Sequence, residues 1–270
     1  MNYYYNQNLV NDWRLEELET IISDIENNFI KYVSCQEIVA ERNYLNLVLD
    51  SCGKVILTMH EILLLCTFGY PDGAMGLARN LYEQMIILSF FDCHKRDEKF
   101  YEYINDYFLD SDINSENLLK ADYESSDCDD MIEEITERMR NLKQSKYSKI
   151  KGQYWWARKS QFAGLKEDVI NNKDVRIKPH FEKMHIAYKI ACSTLHAGCS
   201  GNSFRLNSEE YGITSTSPSF DKLGLPLWFA VCSLVEIFEI SFLQLGIDYA
   251  INGVRLLDLQ QFYSEKMREK

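Results

Sequence analysis

Apolar residues recur every three or four positions along most of this 270-residue chain, which is the spacing of amphipathic α-helices. The pattern predicts helices over residues 9–33 and 45–66. Two further stretches, 74–91 and 227–249, are apolar over most of a helix circumference. Because a helix with so little polar surface usually lies inside a bundle, these two stretches are predicted to be the central helices.

The periodicity predicts an all-α fold, a helical bundle of about eight to ten helices in a single domain over residues 1–270. The core is expected over residues 40–252, with the helix at 9–33 and a charged helix at 253–268 as additions. A helix at 179–198 is expected beside the two central ones. No stretch alternates with period two for long, so a β-sandwich or barrel is not expected.

The most apolar stretch, Leu225 to Tyr249, approaches the length of a membrane span. It contains Glu236 and Glu239, and a carboxylate in the middle of a bilayer costs several kcal/mol. We therefore interpret it as a core helix and expect no membrane partner. The N-terminus lacks a signal-peptide pattern, and the eight cysteines show no C-x-x-C spacing. A reducing, cytoplasmic location is expected.

Charge changes sign along the chain. Residues 92–137 have 16 acidic and 4 basic side chains, whereas residues 138–178 have 12 basic and 3 acidic ones. Aromatic residues lie within this basic segment, and such a mixture can bind RNA or a nucleotide, with Trp155, Trp156 and Lys159 as candidate ligand-binding residues. The alternative is that the basic segment docks on the acidic stretch. The net charge of −12 weakens any general affinity for nucleic acid.

A helix ending near His196 contains a candidate for acid–base chemistry. Ser193 and Cys192 precede His196 by three and four residues, so either side chain reaches the imidazole on a helix surface. That is the minimum geometry of an activated nucleophile. The helix C-terminus favours the charged form of His196, which suits an acid better than a base. The alternative is a histidine at the edge of the core, bonded to a nearby hydroxyl.

Arg79 and Glu83 are one turn apart on the apolar helix at 74–91. They form either a structural ion network, for which Glu236 and Glu239 are the distant partners, or an anion-binding site. Metal-binding motifs are weak, since a Glu-x-x-His pair of the kind used in di-iron bundles occurs only once. No metal and no cofactor are therefore expected.

Three segments resemble an uncharacterised bacterial all-helical domain family, with an A-R-x-L-Y-E helix and a later Y-x-x-x-S-x-x-x-H helix. They are Ala78-Arg79-Asn80-Leu81-Tyr82-Glu83, Tyr154-Trp155-Trp156 and Tyr188…Ser193…His196, within residues 40–200. Ser193 and His196 are one residue closer than in that form. More distantly, the family resembles the HEPN helical bundles, many of which are metal-independent ribonucleases of toxin–antitoxin and antiphage systems. Their Arg-to-His hallmark is missing, because only three residues separate Arg176 from His180.

The resemblance implies an RNA- or nucleotide-directed effector of bacterial defence or stress response, such as a ribonuclease or toxin. It implies His196, Arg79 and Ser193 as catalytic candidates and Tyr82, Glu83 and Tyr188 as ligand-binding candidates. Two alternatives remain: a noncatalytic ligand-sensing or binding module of a defence system, and a helical homo-oligomeric assembly component. The sequence leaves open whether the chain is an enzyme. A homo-oligomer, most simply a homodimer, is the expected assembly.

Overall fold

The computed structural model describes the protein over residues 13–34, 43–122, 152–173, 178–195 and 223–245, together with 133, 137, 140 and 141. Within these ranges the chain forms seven α-helices and one 3-10 turn, and no strand. The predicted all-α fold is therefore confirmed. The helices within the described ranges are fewer than the expected eight to ten, and the predicted helix at 253–268 lies outside those ranges.

In chain order the elements are α1 (Trp13–Ser34), α2 (Tyr44–Thr67), α3 (Pro71–His94), α4 (Phe100–Asp122), the 3-10 turn (Trp155–Ala157), α5 (Phe162–Asn172), α6 (Lys178–Leu195) and α7 (Gly224–Leu245). The bounds of α1, α2, α3, α6 and α7 agree with the predicted ones to within about four residues, whereas α4 and α5 were not predicted as helices. Between α2 and α3 the chain turns at Gly69, which has a φ of 74°. Pro71 then takes the first position of α3, where its missing N–H leaves no helical hydrogen bond unmade.

The chain divides into two compact units, and the first consists of Met1–Val39, Leu47–Leu88 and Asp174–Lys270. Its most buried element is α7, in which every side chain from Pro226 to Phe238 is buried. The buried carboxyl of Glu236 is among them. Helix α6 packs against α7, as expected for the helix beside the central ones.

Helix α7 is long and apolar enough to cross a membrane, but 89% of its most apolar window is buried inside the protein. Burial of this kind is compatible with the interpretation of this stretch as a core helix. The cysteines Cys52, Cys66 and Cys232 are buried and free. Burial raises the pKa of the Cys66 thiol to about 12, so it acts as a small hydrophobic side chain.

The second unit consists of Ala40–Asn46 and Ser89–Lys173. Its core is built around the indole of Trp156, which stacks on the ring of Phe91 with centroids 5.3 Å apart and planes 8° apart. The rings of Phe90 and Tyr107 contact the indole edge-on, at 5.6 Å and 5.1 Å. The interpretation of both units as one domain stays a prediction.

Two residues around the 3-10 turn have left-handed backbone conformations. Gly152 has a φ of 131°, and a Cβ atom at this position would lie 2.1 Å from the carbonyl oxygen of Ser160, so only glycine fits there. Arg158 ends the turn with a φ of 61°, and its N–H donates to the carbonyl of Trp155. The tight backbone places the Trp156 side chain in the core and the Arg158 side chain at its edge.

Candidate functional site

Helices α3 and α6 bring together a polar cluster in the first unit, which we call the Arg79 cluster: Arg79, Tyr82 and Glu83 on α3, and Tyr188 and Cys192 on α6. Nη2 of Arg79 lies 2.9 Å from Oε1 of Glu83, and the two side chains are 28% and 20% exposed. The predicted ion pair is therefore confirmed. The Tyr188 hydroxyl donates a hydrogen bond to the same Oε1 atom at 3.0 Å.

The ring of Tyr188 is contacted from several directions. The Arg79 guanidinium carbon lies 5.6 Å from its centroid. The rings of Tyr82 and His185 lie 5.2 Å and 5.8 Å away, and His185 is stacked on it. Tyr82 also contacts Phe229 of α7 at 5.4 Å and is fully buried. Tyr82 is a predicted ligand-binding residue; its ring is buried against Tyr188 and Phe229, and its role in ligand binding stays a prediction.

The electrostatics of the cluster hold its groups in their ordinary protonation states. Burial, reinforced by the charge of Glu83, raises the pKa of the Tyr188 phenol. Burial also raises the pKa of Tyr82. For Arg79, burial acts to lower the pKa, but the interactions with Glu83, Cys192 and Tyr188 together outweigh it and the pKa rises. Tyr188 is therefore a neutral hydrogen-bond donor and Arg79 a permanent cation.

On α6, Cys192 belongs to the Arg79 cluster and Ser193 does not. Cys192 lies one turn after Tyr188, forms a hydrogen bond with its hydroxyl and lies near Arg79. Ser193, which was predicted as catalytic, comes five residues after Tyr188 and is thus about 140° away around the helix axis. His196 lies outside the described residues, so its predicted role stays a prediction. The four-residue spacing of Tyr188 and Cys192 is the sequence signal that identifies Cys192.

The three ligand-binding candidates of the basic segment all contact other residues of the second unit. Trp156 is 2% exposed, which prevents its ring from stacking on a base. The indole Nε1 of Trp155 donates to Asp110 at 2.5 Å, and Nζ of Lys159 lies 2.7 Å from Asp168. The Trp155–Asp110 hydrogen bond joins the basic segment to the acidic stretch, whereas the Lys159–Asp168 pair lies within the basic segment, and nucleic-acid binding stays a prediction. The other parts of the segment, 138–139, 142–151 and 174–177, lie outside the described residues.

Asp168 on α5 is the centre of a second polar cluster, which the sequence did not predict. It accepts hydrogen bonds from Nζ of Lys159 at 2.7 Å and from Nε2 of His94 at 2.9 Å. The other ring nitrogen of His94 lies 2.5 Å from Asp97. Among the described residues, no group of three histidine, cysteine or carboxylate side chains is arranged to hold a metal ion. We interpret this second cluster as structural.

The contribution of Asp168 to stability should be lost in acid. Burial alone would raise the pKa of Asp168, but the hydrogen bonds and charges of Lys159 and His94 outweigh it and lower the pKa. A carboxyl whose pKa is lowered on folding stabilises the protein above its unfolded-state pKa, and this stabilisation disappears as the pH falls through the folded-state value. The difference in unfolding free energy between wild type and Asp168→Asn should therefore shrink from about pH 6 to about pH 3.

Urea unfolding at a series of pH values measures this difference. The matched control is Asp50→Asn, which removes the same charge from the exposed Lys54–Asp50 pair on α2. A wild-type advantage over Asp168→Asn that stays constant with pH would contradict the assignment of Lys159 and His94 as its cause.

Together, the fold and the site define an all-helical protein with an arginine–glutamate–tyrosine cluster between two of its helices. The chain belongs to the Family of unknown function (DUF5677), which matches residues 46–213. The matched region contains the Arg79 cluster, and the resemblance to an uncharacterised family is thereby confirmed. No curated protein and no solved structure matches the chain.

Proposed function

We propose that this chain is an RNA- or nucleotide-directed effector that holds a phosphate of its ligand at Arg79. The observation that carries the proposal is the partly exposed Arg79 guanidinium, which contacts Glu83 and the ring of Tyr188. A guanidinium is the side chain best suited to phosphate, because its planar array of N–H donors matches two phosphate oxygens. The distant HEPN resemblance supports a role in bacterial defence or stress response.

In this proposal His196 provides the acid or base of a metal-independent cleavage of RNA. The ribose 2′-oxygen would attack phosphorus as it loses its proton, and the 5′-oxygen would leave as it gains one. Arg79 would stabilise the negative charge that accumulates on the phosphate oxygens between these events. Tyr188, Cys192 and His196 follow one another at intervals of four residues, which is the spacing of one helix face.

A noncatalytic ligand-sensing module is the second candidate, and the protonation states of the Arg79 cluster favour it. The pKa values of Tyr188, Tyr82 and Arg79 are all raised, away from neutrality. Arg79 and Tyr188 can therefore bind a ligand, but all three groups are poorly suited to proton transfer. In a sensing module of this kind, the Arg79 cluster binds the phosphate and no cleavage of the ligand takes place.

Replacement of His196 separates the two candidates. If His196 transfers a proton, His196→Ala should lower RNA cleavage by about 10²- to 10⁴-fold and relieve growth arrest in a bacterial host, while the melting curve stays nearly unchanged. Cleavage of a labelled RNA, growth curves and thermal melts of both proteins measure this.

The matched control is His60→Ala, which removes a partly exposed histidine that pairs with Glu26 at 3.0 Å, on α2 and α1. This variant should cleave RNA like the wild type. A fully active His196→Ala protein would remove His196 from the mechanism. A wild type without effect on RNA or growth would favour the sensing module instead.

A further inference from the structure

Two hydrogen-bond donors in the Arg79 cluster converge on a single oxygen atom. Nη2 of Arg79 and the hydroxyl of Tyr188 lie 2.9 Å and 3.0 Å from Oε1 of Glu83. One donor comes from α3 and the other from α6, so the oxygen occupies a position defined by two helices. Convergent donors with one permanent positive charge are the arrangement by which proteins bind an oxygen of a phosphate group.

We propose that the Glu83 carboxylate fills the phosphate position of the free protein, and that an oxygen of the ligand phosphate displaces it. The inference rests on the proposed function and adds to it a competition built into the site. Glu83 then lowers the affinity for the ligand, because only the fraction of molecules in which its carboxylate has left Arg79 can bind.

The Tyr188 donor is held in place by its neighbours, whereas the Glu83 acceptor is at the partly exposed side of the cluster. The ring of Tyr188 is fixed between Tyr82, His185 and Arg79. Burial and the charge of Glu83 raise its pKa, so the hydroxyl keeps its proton. Glu83, in contrast, is 20% exposed and has a flexible side chain that can turn toward solvent without a change in α3. Displacement therefore leaves the Tyr188 hydroxyl where the phosphate needs it, and the Arg79 guanidinium keeps its contact with the Tyr188 ring.

Electrostatic repulsion between the Glu83 carboxylate and the ligand phosphate prevents both from binding at the shared position. A phosphate at the shared position would lie within a few ångströms of the Glu83 carboxylate, and two anions at that distance repel each other strongly where water is partly excluded. The carboxylate and the phosphate therefore cannot occupy the position together. The Lys54–Asp50 pair on α2 has the same spacing, but its side chains are 58% and 61% exposed, and it serves as the ordinary surface pair for comparison.

The test measures binding of inorganic phosphate to the full chain by isothermal titration calorimetry. Glu83→Gln removes the charge but keeps an oxygen that can accept from Tyr188, so the fold should be preserved. We expect this variant to bind phosphate about five- to tenfold more tightly than the wild type. The matched control Asp50→Asn removes the same charge on α2 and should bind like the wild type. Addition of Arg79→Gln to Glu83→Gln should abolish the gain.

Tyr188→Phe, added to Glu83→Gln, provides a second measurement in which no carboxylate competes for the position. It keeps the ring but removes one of the two donors, so phosphate affinity should fall about fivefold or more relative to Glu83→Gln alone. If the cluster were only structural, neither Glu83→Gln nor Tyr188→Phe would change phosphate binding.

Glu83→Gln binding no tighter than the wild type would overturn the inference, as would a failure of both proteins to bind phosphate. The proposed function is judged separately, by the RNA cleavage of wild type and His196→Ala. Cleavage that depends on His196, together with unchanged phosphate affinity in Glu83→Gln, would leave the proposed function standing without the competition.

Discussion

Replacing Trp156 by alanine is expected to lower the free energy of unfolding by about 3–5 kcal/mol. The indole is almost completely buried, and the rings of Phe90, Phe91 and Tyr107 contact it within 5.6 Å. Its removal would leave a cavity lined by these rings. The cavity cannot collapse, because the rings belong to two different helices. Urea unfolding followed by circular dichroism measures the loss.

Tyr101→Ala is the control for this prediction. Its ring is on α4 in the same unit, but the side chain is 74% exposed. An exposed aromatic residue should cost no more than about 0.5 kcal/mol on truncation. If Trp156→Ala lost as little stability as Tyr101→Ala, the indole could not be the centre of the second unit, and a role in stacking on a ligand would return.

The second large effect is expected for Arg158→Ala, which should lower the free energy of unfolding by about 2–4 kcal/mol. Nη2 of Arg158 lies 2.7 Å from Asp106, with side chains 15% and 16% exposed. Nη1 donates to the carbonyl of Trp156 at 2.8 Å, and the guanidinium lies over the ring of Tyr103. Removal of the arginine leaves a largely buried carboxylate without its counter-charge.

The pH dependence of this variant identifies the carboxylate. Burial raises the pKa of Asp106, and Arg158 opposes that rise. Without Arg158 the pKa should rise further, so the folded state binds a proton more tightly than the unfolded state. Stability then falls as the pH rises, and the deficit of Arg158→Ala should shrink as the pH is lowered. Adding Asp106→Asn should remove this pH dependence.

Arg158→Gly separates the stability contributed by the side-chain contacts of Arg158 from the strain of its left-handed backbone conformation. The φ of 61° at this position is unfavourable for alanine and allowed for glycine. The glycine variant loses the same contacts and should therefore be more stable than the alanine variant, by up to about 1 kcal/mol. Equal stabilities would mean that the left-handed conformation adds no strain.

The sequence predicted those features that depend on neighbours along one helix. Periodicity located α1, α2, α3, α6 and α7, with α7 in the core, but not α4 or α5, and the four-residue spacing of Arg79 and Glu83 indicated that they could form an ion pair. The hydrogen bond from Tyr188 to Glu83 joins residues 105 positions apart, and that from His94 to Asp168 joins residues 74 apart. No local pattern specifies which helices will face each other, so these contacts could not be predicted.

The charge composition of the basic segment also did not indicate whether the segment binds nucleic acid or carboxylates of the protein itself. A run of lysines and arginines has the same composition whether its partners are phosphates or carboxylates. Only the contacts of Trp155, Arg158 and Lys159 with aspartates distinguish these cases. Helical spacing places both Ser193 and Cys192 within reach of His196, and only the resemblance to the Y-x-x-x-S-x-x-x-H helix favours Ser193. The rotation of α6 places Cys192 near Tyr188 instead.

The order of the two units along the chain determines when each can form during synthesis on the ribosome. The second unit ends at Lys173, whereas the first unit needs α6 and α7, which are synthesised after the second unit. Until α7 emerges, Tyr82 of α3 lacks its contact with Phe229, and Cys52 of α2 lacks Ser241. Nascent chains that stop before residue 224 should therefore bind chaperones through the apolar faces of α2 and α3.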